Sequence, residues 1–235
     1  MNDKLARKPR ERTAPAQVNG LAENKDAFIT RTARILEPSL VEQIIRERQK
    51  LGIDDHDEVW EGVYVVPPIA NNPHQHLVGA LTGILFQVVV VEGRGQVQPG
   101  ANVSDRRGQW EHSFRGPDVV VVLNDSRAID CGTHWYGGPD FLIEIESPGD
   151  ETPEKIPFYG RIQVRELLVV HRDTRQLRLY RHNGEALVLV GQSDKDDPIV
   201  LSSKVVPLSF RWESAREGPR TEVQRTGGKR KTWTV

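Results

Sequence analysis

The chain has 235 residues, 37% of them hydrophobic, and its 32 Lys and Arg against 33 Asp and Glu leave a formal charge of -1. That balance excludes a global electrostatic pull toward nucleic acid, so any basic surface is local. The single cysteine, Cys131, excludes an intrachain disulfide and a multi-cysteine zinc site.

No apolar run approaches the roughly 20 residues of a membrane-spanning helix. Residues 1–20 lack the apolar stretch of a signal peptide. A soluble cytoplasmic protein with one domain and its own core is the expectation. Residues 1–25 are polar and carry Lys4, Arg7, Lys8, Arg10 and Arg12, which predicts a disordered basic arm. The domain is then expected over residues 26–212.

Along the chain, Ser39 followed by Glu42 has the pattern of a capping box. Leu40, Ile44, Ile45 and Leu51 keep helical spacing and Gly52 suits the C-terminal cap, so a helix is predicted over 39–51. Residues 58–66 alternate around Gly62 as a hairpin. A loop rich in Pro and Asn leads to a second helix from His74 to about Phe86, with Leu77, Leu81, Ile84 and Leu85 on one face. The β-branched run after it, residues 88–91, favours a strand. Two apolar strands come next: residues 119–123 behind Pro117-Asp118, and residues 140–146 between Gly138-Pro139 and Pro148-Gly149. A third helix starts near Thr152-Pro153 with Thr152 as its cap, ends near Ile162, and holds an awkward Pro157. Strands follow at 166–171, 177–181 and 186–191, the last two joined by a turn at His182-Asn183-Gly184. A short strand near Ile199 and the segment 205–210 close the domain. Residues 213–235, with Arg216, Arg220, Arg225, Lys229, Arg230 and Lys231, are expected as a disordered basic tail. This order predicts a mixed α/β (α+β) fold, a mixed central sheet flanked by helices.

The chemistry is concentrated at two strands. Asp118 precedes one and Glu144 lies inside the other, where a buried carboxylate needs a partner or a metal. Lys155 sits on the element that follows. Two carboxylates and a lysine suit phosphodiester hydrolysis: hard oxygen ligands hold Mg²⁺, and an ammonium stabilises charge at phosphorus. Read alone, Asp118 also fits a turn or cap residue, and Glu144 a paired structural acid. Glu146 points to the same side as Glu144, two residues on. His74 and His76 diverge on a helix and fit surface positions. Trp110, Trp135 and Tyr136 suit the core edge, and Cys131 lacks a triad-like context.

The run Arg115-Gly116-Pro117-Asp118-Val119-Val120-Val121, the segment from Pro139 through Glu144 to Pro148, and Lys155 followed by Tyr159 resemble the Putative restriction endonuclease family. That family is a branch of the PD-(D/E)XK nuclease superfamily. Glu58-Val59-Trp60-Glu61-Gly62 resembles its acidic hairpin, and Asn72-Pro73-His74-Gln75 its His-opened helix. The resemblance spans about residues 55–212. It implies a restriction-endonuclease-like core and a metal-dependent endonuclease acting on DNA. Asp118, Glu144 and the main-chain carbonyl of Ile145 would hold Mg²⁺ (Mn²⁺ also suits), with Lys155 as the catalytic cation. It offers Glu58 or Glu61 as an additional acid and His74 as a neighbour of the site. The standard signature keeps its lysine two residues after the second acid. Glu146 fills that place here, as a further ligand or a solvent-facing residue, and the family's pattern moves the lysine to the next helix. Cutting both strands calls for two copies of a one-site enzyme, so a homodimer is a further expectation. Two other readings stand beside this one: an inactive nuclease-fold module that binds nucleic acid or regulates, and a structural partner protein with no nucleic-acid ligand.

Overall fold

A computed structural model describes residues 32–235; the expected arm over residues 1–25 lies outside them. The chain begins with β1 (Ala33–Ile35), α1 (Pro38–Leu51), β2 (Glu58–Trp60) and β3 (Val63–Val66). Next come α2 (Asn72–Leu85), β4 (Gly95–Pro99), β5 (Val103–Ser104), β6 (Phe114–Arg115) and β7 (Val119–Leu123). After β8 (Ile129–Asp130) and β9 (Trp135–Tyr136) follow β10 (Phe141–Glu146) and α3 (Thr152–Arg161). The rest is β: β11 (Glu166–His171), β12 (Leu177–His182), β13 (Leu187–Ser193), β14 (Leu201–Ser202), β15 (Leu208–Ala215), β16 (Gly218–Arg225) and β17 (Thr232–Thr234).

The central sheet has six strands in the order β13-β12-β11-β10-β7-β4. Only β10 and β11 run parallel, so the sheet is mixed as expected. The crossover between those parallel strands is α3. Because β10 lies inside the sheet, Phe141, Leu142, Ile143 and Ile145 are buried on both faces, which explains their unbroken apolar run. One face, with Val119, Val121, Phe141, Ile143 and Ile145, packs on Leu77, Leu81, Ile84 and Leu85 of α2. The other, with Val120, Val122 and Leu142, packs on Phe158, Tyr159 and Ile162 at α3. A seven-stranded sheet, β1-β3-β2-β6-β5-β9-β8, and a four-stranded sheet, β14-β15-β16-β17, complete the fold.

Several expectations are corrected. Residues 213–235 are folded rather than a free tail: they finish β15 and form β16 and β17. Phe210, Val223 and the terminal Val235 enter the core of the α2 face, while the cations of this segment stay outside. The segment after α2 is no strand. Residues 86–90 continue the helix with one π-helical turn, and Val88 and Val89 remain buried. Pro38 takes the first helical position of α1, so Glu37, not Ser39, is the cap residue, and Ser39 donates to Glu37 instead. Likewise Thr152 is the first residue of α3 and Glu151 its cap. The strand expected near Ile199 forms at Leu201–Ser202. Gly52 caps α1 in the left-handed conformation, as its place in the sequence predicts.

Candidate active site

Asp118 and Glu144 meet because of the register of β7 and β10. Their antiparallel ladder pairs Phe141 with Val121 and Ile143 with Val119. One further step of that register sets Asp118 opposite Glu144. Both then share the face of Val120 and Leu142, at the separation of a cross-strand pair. The ladder stops there, and the Asp118 carboxylate takes over: its Oδ2 accepts the N–H of Ile145 at 2.7 Å. A strand residue turns its N–H and C=O to the same side, so the Ile145 carbonyl faces this gap as well.

Lys155 and Tyr159 lie four residues apart on α3 and so share one face of it. The Lys155 Nζ donates to Glu58 Oε1 at 2.8 Å and to both oxygens of Glu144 at 3.3 and 3.5 Å. The Tyr159 hydroxyl donates to Glu144 Oε1 at 2.5 Å. Pro157 between them does not break α3, so it does not displace the lysine. Glu58 comes from the seven-stranded sheet. It is fixed by the N–H of Gly116 at 3.0 Å and the indole N–H of Trp60 at 2.5 Å. His74 enters from the first turn of α2, where the Asn71 side chain caps its N–H at 3.1 Å. Its Nε2 lies 2.8 Å from Asp118 Oδ1.

Asp118, Glu144, Lys155, Glu58 and His74 line a cleft of about 600 Å³, walled also by Trp60, Asn102, Asp150 and Arg172. The side chains of Lys155, Glu58 and Glu144 keep only 11%, 3% and 4% of their exposure, so the charges act through a poorly screened medium. Burial pushes the Glu144 carboxyl up to about 8; the Lys155 ammonium offsets this only in part, and Asp118 and Glu58 add to it. Burial also works against the charge of Lys155, but the carboxylates of Glu144 and Glu58 outweigh it and hold the ammonium above its ordinary range. The phenol of Tyr159 is raised by burial and by Glu144, so it remains a donor.

Around Lys155 the cleft gathers Asp118, Glu144 and Glu58, and its wider lining adds Asp55, Asp57, Asp150 and Glu151 against Arg172. Among the described residues no three His, Cys, Asp or Glu side chains converge as a ready-made metal cage. The donors at the Asp118–Glu144 gap are hard oxygens in negative excess. They fit Mg²⁺, which commonly takes one or two carboxylates and completes its shell with water and substrate oxygens.

Of the residues singled out in the sequence, Asp118, Glu144, Ile145, Lys155, Glu58 and His74 come together. Glu61 and Glu146 do not. Glu61 is 53% exposed at the turn after β2 and pairs with Arg115 and Arg161. Glu146 pairs with Arg178 of β12 at 2.6 Å, away from the cleft lining. Tyr159 and Arg115 were not among the predicted site residues. The i,i+4 spacing of Tyr159 from Lys155 was the available signal. Arg115 is buried between the rings of Trp60 and Phe158, at 4.7 and 4.3 Å, and donates to the Val59 carbonyl, so it carries β2 into place. Its role depends on long-range packing, for which the sequence holds no local mark.

A family model described as Uma2, Putative restriction endonuclease, matches residues 47–213. No curated protein matches. Among solved structures, one titled as a putative nuclease belonging to DUF820 from Anabaena variabilis ATCC 29413 is similar at 16% identity and a TM-score of 0.49, covering 63% of this chain and 83% of that one. The match to the family model takes in most of the chain and all the cleft's carboxylates and its lysine, and the protein belongs to the Uma2 family, Putative restriction endonuclease.

Proposed function

We propose that the protein is a Mg²⁺-dependent endonuclease that hydrolyses phosphodiester bonds of DNA, with Mn²⁺ as an alternative ion. The observation that carries this is the seat of Lys155, bridging Glu58 and Glu144 where Asp118 faces Glu144 across the sheet. Asp118, Glu144 and the Ile145 carbonyl would hold the ion. When bound, it supplies neutralisation of phosphate charge and a lowered pKa for water.

The remaining steps belong to the chain. Lys155 places its ammonium where negative charge grows on the phosphoryl oxygens, and Glu58 keeps that side chain extended into the cleft. Tyr159 fixes one oxygen of Glu144, and His74 together with the Ile145 N–H fixes both oxygens of Asp118. The four contacts hold the reacting groups in one geometry before substrate arrives.

The seat of Lys155 also favours catalysis over the inactive-module reading, since the lysine absent from position 146 is delivered from α3. A nicking assay on supercoiled DNA with Mg²⁺ tests the proposal. Wild type should convert the substrate and Glu144→Ala should not; equal traces would remove Glu144 from catalysis.

A further inference from the structure

The family match ends at residue 213, yet the chain continues into β16 and β17, whose connecting loop over residues 226–231 reads Thr-Gly-Gly-Lys-Arg-Lys. The loop is pinned at its base. The N–H of Arg225 donates to the Lys231 carbonyl at 2.8 Å, and that of Thr226 to the Pro207 carbonyl at 2.9 Å. Gly227 and Gly228 both take left-handed φ values, 81° and 69°, which tightens the turn and pushes its tip outward. Lys229 and Arg230 are exposed, and among the described residues neither forms an ion pair. Lys231 packs over the Trp233 ring at 4.9 Å and donates to Gln87.

That last contact gives the loop its address. Gln87 lies in the π-helical turn that extends α2, and His74 at the opposite end of α2 touches Asp118 in the cleft. The step from residue 74 to residue 87 spans about 20 Å at the helical rise, close to the length of about six base pairs. Residues 72–91 contain no Asp or Glu, so the helix between cleft and loop offers no carboxylate to repel a phosphate backbone. The first acid beyond, Glu92, is held by Arg94 at 2.9 Å and Arg225 at 2.7 Å.

We propose that residues 229–231 form a second contact for the phosphate backbone of a duplex whose first contact is the cleft, the duplex running along α2. This rests on the nuclease reading for the first contact only. The substitution pair Lys229→Ala and Arg230→Ala, made together, tests it without touching the cleft.

Binding of a fluorescent duplex of about 20 base pairs, followed by anisotropy without divalent ions over a salt series, should show the log–log salt slope smaller by about 1.8 and affinity roughly tenfold weaker at moderate salt. The charge-preserving pair Lys229→Arg and Arg230→Lys should keep the wild-type slope. Mg²⁺-dependent hydrolysis of bis(para-nitrophenyl) phosphate, too small to reach the loop, should be equal in all three proteins. An unchanged slope in the alanine variant, a loss shared by the charge-preserving variant, or no duplex binding by wild type overturns the proposal. If wild type hydrolyses no phosphodiester, the nuclease reading falls, while the slope still decides the loop.

Discussion

Replacing Lys155 by Met keeps the length of the side chain and removes its charge. The Lys155 Nζ sits 2.8 Å from Glu58 and 3.3 Å from Glu144, with all three side chains almost wholly buried. At an effective dielectric of about 20, each attraction has a gross size of ~5–6 kcal/mol. Desolvating the ions takes back most of that, so the net value of the pairs is small. Removing one partner is different, because the two carboxylates stay behind. Breaking a buried pair in this way costs about 3–5 kcal/mol. The loss should depend on pH. Without the ammonium the Glu144 carboxyl rises further above its unfolded value, so protonation relieves it at low pH and the deficit widens as pH climbs. Mg²⁺ should restore part of it, since the ion neutralises the same groups. Urea unfolding at pH 6 and pH 8.5, with and without Mg²⁺, measures all three effects. In turnover, loss of a charge-stabilising donor should lower kcat by about 10²–10³. A Lys155→Met protein within ~1 kcal/mol of wild type at pH 8.5, with no response to Mg²⁺, would show that the bridge between Glu58 and Glu144 does not form.

The Glu144 carboxyl, raised to about 8, makes its own prediction. The folded metal-free protein holds a proton that the unfolded chain has released, so stability should fall as pH rises from the ordinary carboxylate range through about 8 and level off above it. The fall should vanish in Glu144→Gln, compared by urea unfolding. Metal binding should release protons below that pH, seen by calorimetry in buffers of different ionisation enthalpy. Tyr159→Phe removes a hydrogen bond that pulls the Glu144 pKa down. Its activity profile should therefore shift to higher pH, with a stability loss of about 1–3 kcal/mol in a denaturant titration. Glu61→Ala should leave the kcat of the nicking reaction unchanged, because that carboxylate lies outside the cleft lining and pairs with the buried Arg115 and the exposed Arg161, whereas Glu58→Gln should lower it by loosening Lys155.

The central sheet was legible because burial on both faces leaves a plain mark: the apolar runs of β7, β10 and β11 need no knowledge of their partners. Asp118 and Glu144 stood out against that background as polar residues in apolar company. What the sequence hid was of two kinds. The last strands alternate inward Leu208, Phe210 and Val223 with outward Arg211 and Glu222, the pattern of a sheet with one wet face. Their many cations drew attention to composition and away from that alternation. The residues after α2 are β-branched but continue a helix, since the buried places of Val88 and Val89 outweigh local preference. Side-chain partners at long sequence distance were hidden altogether. Glu58 and Lys155 are 97 residues apart, and only the fold reveals which of the two hairpin acids turns inward.

The position of Glu146 shows how the site came to use a helix for its lysine. Glu144 and Glu146 share a face of β10, but their neighbours on that face differ. Beside Glu144 stand Lys155 and Tyr159 of α3; beside Glu146 stands Arg178, reaching from β12 at 2.6 Å. A lysine at position 146 would meet that arginine, a like charge in a half-buried place, and leave Arg178 without its acid. With Glu146 there, the end of the strand is closed by an ion pair and β10 itself brings no cation to the cleft. α3 crosses over the same face as the link between the parallel strands β10 and β11, so its inner side already looks onto Glu144. A lysine on that side reaches the acid with no change of backbone, and a tyrosine one turn later holds the acid still. The crossover that builds the parallel pair therefore also supplies the cation, and the arrangement of charges in the cleft follows from the topology of the sheet.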